Sequence, residues 1–154
     1  MADAYARLTG RPGVVVVTAG PGVTDVVTAV ANAHLDAVPM VVLGGRHPLA
    51  EEEMMPLQEL HGVALMQSIT KWVRLVRDPK RIPEYMAAAF RHALSGRYGP
   101  VFLEIPADVL FRRVEETEVT FPSSYRPQGR VQADAGVISR AAQLLASAQQ
   151  PLVM

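Results

Sequence analysis

Apolar residues recur along this chain in two rhythms. Residues 14–17 are four consecutive valines, an uninterrupted run of the kind that forms a strand covered on both faces in a parallel sheet, so helices are expected on both of its sides. After Gly22 the rhythm becomes helical. Val23, Val26, Val27, Val30, Ala31 and His34 share one face, and the segment reads as a helix to about Asp36. Pro39 introduces a second strand at 40–43, closing a strand-helix-strand unit whose default crossover is right-handed. Residues 44–58 read as a long loop with Pro48, Pro56 and three consecutive glutamates, and a loop of that length usually has a task or is mobile. Further on, 59–67 suggests a short helix, 71–76 a strand, 82–94 a helix entered through Pro83 and stopped at Gly96, and 101–105 a strand between Pro100 and Pro106. Ahead of the valines, residues 2–9 have Tyr5 and Leu8 on one helical face with Gly10 as the stop.

Beyond Arg112 the pattern fades. Residues 112–136 are charged, polar and proline-containing, which reads as a surface linker. Residues 137–148 are again amphipathic, with Ile138, Ala141, Leu144, Leu145 and Ala148 on one side, and 151–154 resembles a strand cut short. Strands alternating with helices predict an α/β fold, a three-layer α/β/α arrangement around a mostly parallel sheet.

Composition narrows the functional classes. The chain is 49% hydrophobic, enough for a substantial core, and its 15 basic and 15 acidic residues leave no net field to attract nucleic acid or an anionic membrane. It has no cysteine, which removes disulfides, thiolate metal sites and a cysteine nucleophile. Its apolar runs are far shorter than the roughly 20 residues that span a bilayer. The opening residues lack a signal-peptide pattern, so the expectation is a cytoplasmic protein that binds neither membrane nor nucleic acid.

Candidate chemistry concentrates at Gly20-Pro21-Gly22, the loop after the valine strand. Taken alone, it is either a tight strand-to-helix turn or a backbone cradle for a flat ligand. It lacks the third glycine of a dinucleotide fingerprint and the lysine of a phosphate loop. The four histidines show no metal-ligand spacing. His34 and His92 fall in helices, whereas His47 and His61 fall in the loop region and could border a cavity. Glu51, Glu52 and Glu53 read as a solvated acidic run, Trp72 as core or interface, and Met54 and Met55 as gap-fillers or interface residues.

Several motifs occur in a distinctive order. They are Ala4-Tyr5-Ala6-Arg7-Leu8-Thr9-Gly10, Gly20-Pro21-Gly22-Val23-Thr24-Asp25, the Pro39 strand ending in Gly44-Gly45, Gln58 within Leu57-Gln58-Glu59, Ile69-Thr70-Lys71-Trp72, and the run from Ser95 through Gly99-Pro100 to Pro106-Ala107-Asp108-Val109. Together they resemble the N-terminal, pyrimidine-binding domain of thiamine diphosphate enzymes. The branch is acetolactate synthase-like, which also includes benzaldehyde lyase and 2-hydroxyacyl-CoA lyase.

That resemblance, over roughly residues 1–115, implies a carboligase or decarboxylase acting on small 2-keto acids in branched-chain amino acid biosynthesis, working as a homodimer or tetramer. It implies thiamine diphosphate as cofactor, with Mg2+ held by a domain outside these residues, and leaves FAD open. Gly20, Pro21 and Gly22 would lie against the aminopyrimidine, and Gln58 near the reacting carbon, unless it is only a surface amide. Asp25 stands where an asparagine is usual, so it is either a cofactor contact or a plain helix-start carboxylate. The family's catalytic glutamate has no counterpart here, and Glu51, Glu52 and Glu53 are not substitutes. The expected division is therefore a pyrimidine-binding domain at 1–115, incomplete at its start, a linker at 116–135, and the beginning of a central domain at 136–154. Such a fragment is expected to be inactive alone and to self-associate or be marginally stable. Two other readings stay open: a separate pyrimidine-domain subunit of a split decarboxylase, and a non-catalytic nucleotide-binding or assembly module.

Overall fold

The computed structural model describes residues 1–126 and 132–152. The order of elements is α1 (Ala2–Thr9), β1 (Gly13–Val17), α2 (Pro21–Asp25), α3 (Val27–Leu35), β2 (Met40–Arg46), α4 (Gly62–Met66), β3 (Trp72–Leu75), α5 (Ile82–Leu94), β4 (Pro100–Pro106), α6 (Ala107–Leu110) and α7 (Ala135–Ser147), with single 3-10 turns between some of them. The strands pair in the order β1-β2-β4-β3, and every pair is parallel.

Side-chain alternation along the central strands divides the interior in two. Met40 and Val42 of β2 and Phe102 of β4 point to the side where Ala6, Val23, Val30, Ala33 and Met66 pack, the side of α1, α2, α3 and α4. Val41, Val101 and Leu103 point the other way, onto Ala89 and Ala93 of α5 and Val109 of α6. The result is the expected three-layer α/β/α arrangement with a parallel sheet. β2 and β4 are buried on both faces, as their continuous apolar runs require.

The valine strand departs from expectation. Val15 and Val17 pack into the first cluster, but Val14 is 49% and Val16 74% exposed. β1 is the last strand of the described sheet, and α5 packs mainly on β2, β3 and β4, so among the described residues the second face of β1 is left largely open. The expected helix from Val23 to Asp36 is divided at Val26, which keeps right-handed backbone angles but forms a turn between α2 and α3. The segment still buries Val23, Val30 and Ala33 on one face. In α1 the buried residue is Ala6, whereas Tyr5 and Leu8 face outward. α7 forms where the amphipathic pattern places it, capped by the Asp134 carboxylate accepting from the Val137 N–H at 3.1 Å, and its residues are exposed. Of the strand expected at 151–154, residues 151 and 152 are in no regular element and 153–154 lie outside the described residues, as do 127–131 of the expected linker.

Candidate functional site

The carboxyl ends of β1, β2 and β4 open onto a cavity of about 380 Å³. Its walls are Val17, Thr18 and Ala19 at the end of β1, Gly45, Arg46, His47 and Pro48 at the end of β2, Leu57 and Gln58 from the following loop, and Ile105, Ala107 and Leu110 at the end of β4 and in α6. Ligands of open parallel sheets bind at this edge, because strand ends and helix starts present uncommitted backbone groups there. The volume lies within the usual range for small-molecule sites.

The structure brings Gly20 and Gln58 together. Gly20 has φ of 57°, and a Cβ built on it would stand 2.9 Å from the Gln58 Cβ and 3.0 Å from the Gln58 carbonyl oxygen. Glycine is therefore required twice, for the left-handed backbone and for the close approach. Pro21 and Gly22 form the first turn of α2, where the Gly20 carbonyl accepts from the Val23 and Thr24 N–H groups at 3.0 and 3.1 Å. Asp25 is not brought in. It is the last residue of α2, exposed and not among the cavity walls.

Of the histidines, His47 borders the cavity and is 4% exposed, with neither ring nitrogen hydrogen-bonded; its Nε2 stands 3.8 Å from Glu59 Oε1. His61 borders a separate hollow of about 320 Å³ together with Arg46, Glu52 and Arg77. The acidic run is not uniformly solvated, since Glu52 pairs with Arg46 whereas Glu51 and Glu53 are exposed. Among the described residues no group of three or more histidine, aspartate or glutamate side chains could hold a metal ion, and no helix is long and apolar enough to cross a membrane.

Sequence reading missed the charged pair beneath the site. Arg46, 6% exposed, donates from Nη1 to Glu104 Oε2 at 2.9 Å, and Glu104 is 1% exposed. A Cβ at Gly62 would overlap the Glu104 carboxylate, so the first residue of α4 is glycine to leave that group room. A signal was available: Glu104 is the one charge in an otherwise apolar central strand, and a buried charge needs a partner.

Residues 1–65 match the family described as thiamine pyrophosphate enzyme, N-terminal TPP binding domain. Over 99% of its length the chain is similar to acetolactate synthases. It is 39% identical to the mitochondrial catalytic subunit of Saccharomyces cerevisiae, 38% to the enzyme of Arthrospira platensis, and 37% to the isozyme 3 large subunit of Escherichia coli. It covers 23%, 27% and 27% of those relatives, about a quarter of their length. With a parallel sheet whose glycine loop and glutamine meet at the carboxyl edge, the chain is an acetolactate synthase-like N-terminal domain of the thiamine pyrophosphate enzyme family.

Proposed function

We propose that the cavity between residues 17–19, 45–48 and 57–58 receives the pyrimidine half of thiamine diphosphate, as part of a carboligase or decarboxylase that acts on 2-keto acids. The observation that carries this reading is the contact of Gly20 with Gln58 beside that cavity. Thr18 and Ala19 carry only small side chains along its wall, so a flat ring can approach the main chain. The unpartnered nitrogens of His47 and the Arg46 Nε are polar groups beside the cavity that have no hydrogen-bond partner within the protein, which suits a heteroaromatic ligand.

In this reading Gly20, Pro21 and Gly22 bear on the aminopyrimidine, and Asp25 is an outlying contact at most. Gln58, exposed at the cavity, donates from Nε2 to orient the substrate carbonyl, or accepts at Oε1 from a substrate hydroxyl. When bound, thiamine diphosphate supplies the nucleophilic carbon and the electron sink for breaking a bond beside a keto group. Leu57 and Leu110 add apolar surface to the cavity wall. The diphosphate and Mg2+ are assigned to protein outside these residues, FAD stays open, and the assembly is a homodimer or tetramer in the cytoplasm. Residues 1–115 form the pyrimidine-binding domain, 116–135 the linker and 136–154 the start of a central domain. Expressed by themselves, these 154 residues give no turnover.

The test uses the full reading frame that contains these residues, with pyruvate, thiamine diphosphate and Mg2+. Gln58→Ala is expected to lower kcat roughly a hundredfold, the effect of removing one well-placed donor, with cofactor affinity by calorimetry little changed. Failure to bind thiamine diphosphate, or unchanged kcat in Gln58→Ala, overturns the reading.

A further inference from the structure

The loop that carries Gln58 holds three non-glycine residues in the left-handed region: Glu53 with φ of 66°, Met55 with 55° and Gln58 with 63°. Met55 also precedes Pro56, which favours extended backbone at that position. Side chains of this kind persist in left-handed geometry only where the surroundings over-determine it.

All three lie between two attachments, at Glu52 and Glu59. The Glu52 carboxylate accepts from Arg46 Nη2. Arg46 is itself fixed from below, since its Nη1 donates to the buried Glu104. At the other end, Glu59 Oε1 accepts from the Glu53 N–H at 2.9 Å and stands beside His47 Nε2. Arg46 thus holds one end of the loop through Glu52, and Glu59 ties the other end back to Glu53. The result presses the Gln58 backbone onto Gly20.

We infer that Arg46 and Glu52 form a positioning latch that holds the strained 53–58 loop, and with it Gln58, over the cavity. Arg46 also lines the cavity, but its hold on the loop is made through Glu52. The consequence for turnover rests on the function proposed above. The latch itself rests on the geometry of the loop.

Glu52→Gln tests it, because this change spares the Arg46–Glu104 pair and the core around it. In the full reading frame containing these residues, hydrogen exchange of the 53–58 amides should quicken about fivefold, the scale of a partly exposed ion pair, while the denaturation midpoint stays put. The kcat should fall by a similar factor, and Glu52→Asp, which keeps the charge on a shorter arm, should restore part of both. Combined with Gln58→Ala, Glu52→Gln should lower kcat no further, since both act through one side chain. Unchanged exchange in Glu52→Gln overturns the latch, and so does a fully additive loss in the double variant. If instead the loop loosens but Gln58→Ala leaves kcat intact, the latch stands and the functional reading falls.

Discussion

At the amino ends of β3 and β4, charged side chains complete the backbone. Lys71 Nζ donates to the carbonyls of His92 and Ser95 at 2.7 and 2.6 Å, closing the end of α5, and Arg97 donates to the carbonyls of His34 and Leu35 at 3.1 and 2.6 Å, closing the end of α3. Cations belong there, where orphan carbonyls gather. At the carboxyl ends of β2 and β4 the same residue types are spent differently. Arg46 is committed to two carboxylates rather than to a helix end, His47 keeps both nitrogens unpaired, and the adjoining loop is strained. At the amino edge the helix-end carbonyls find partners within the protein and one buried nitrogen, His34 Nδ1, does not, whereas the carboxyl edge leaves three such nitrogens, Arg46 Nε and both of His47, without a partner. Two motifs from the sequence, Ile69-Thr70-Lys71-Trp72 and the run from Ser95 to Pro100, thereby acquire a structural explanation.

The largest test of this contrast is at the carboxyl edge. Arg46→Ala leaves Glu104 buried and unpaired, and should destabilise the fold by about 3–5 kcal/mol in urea denaturation. Arg46→Met combined with Glu104→Leu removes both charges and should recover most of that loss, because an apolar pair of similar bulk needs no compensation. A loss below about 1 kcal/mol in Arg46→Ala would mean that the pair is hydrated rather than buried beneath the cavity.

A glycine at each edge gives a matched comparison. Gly20 and Gly96 have nearly the same φ, 57° and 59°, but a Cβ at Gly96 meets nothing within 4 Å whereas one at Gly20 meets Gln58. Gly96→Ala should cost only the left-handed strain, about 1–2 kcal/mol, and Gly20→Ala more, toward 3 kcal/mol. Gly20→Ala should also shift the Gln58 amide resonance. Equal losses would mean that the Gly20–Gln58 contact carries no packing energy.

Much of this was legible beforehand because it depends on local pattern. The apolar runs mark the four strands, and the bounds expected for α5 are those observed, since proline at its start and glycine beyond its end punctuate it. Gly20 and Gln58 could be named but not joined, because their contact is made by a loop whose path depends on Arg46 and Glu52. The open face of β1 was illegible for a different reason. Four valines read as a strand covered on both sides, but coverage is set by where α5 lies, not by the run itself. The buried Arg46–Glu104 pair depends on register, with Gly44 opposite Glu104 and Arg46 two residues on.

At the amino edge, losses should be smaller and independent. Lys71→Met and Arg97→Met each remove donors from one helix end and should cost roughly 1 kcal/mol apiece, nearly additively, without changing cofactor affinity. A coupled loss, or weaker cofactor binding in either variant, would mean that the two edges communicate.

The smallest effect is a pH dependence at His92, which stacks on Trp72 with ring centroids 5.0 Å apart. Burial first, then Arg91, Lys71 and Arg74, hold its imidazole below the ordinary 6.5. As pH falls through 6.5 the unfolded chain takes up this proton before the folded one does. Stability is therefore level above that range, declines as pH drops through it, and levels again below the folded value. The side chain is exposed, so the slope should be shallow. Trp72 is the single tryptophan, and its emission reports the folded-state titration directly. A midpoint below 6.5 that disappears in His92→Gln is the expected result. A midpoint above 6.5 would mean that the indole face holds the charged imidazole more strongly than its cationic neighbours repel it, reversing the sign of the slope.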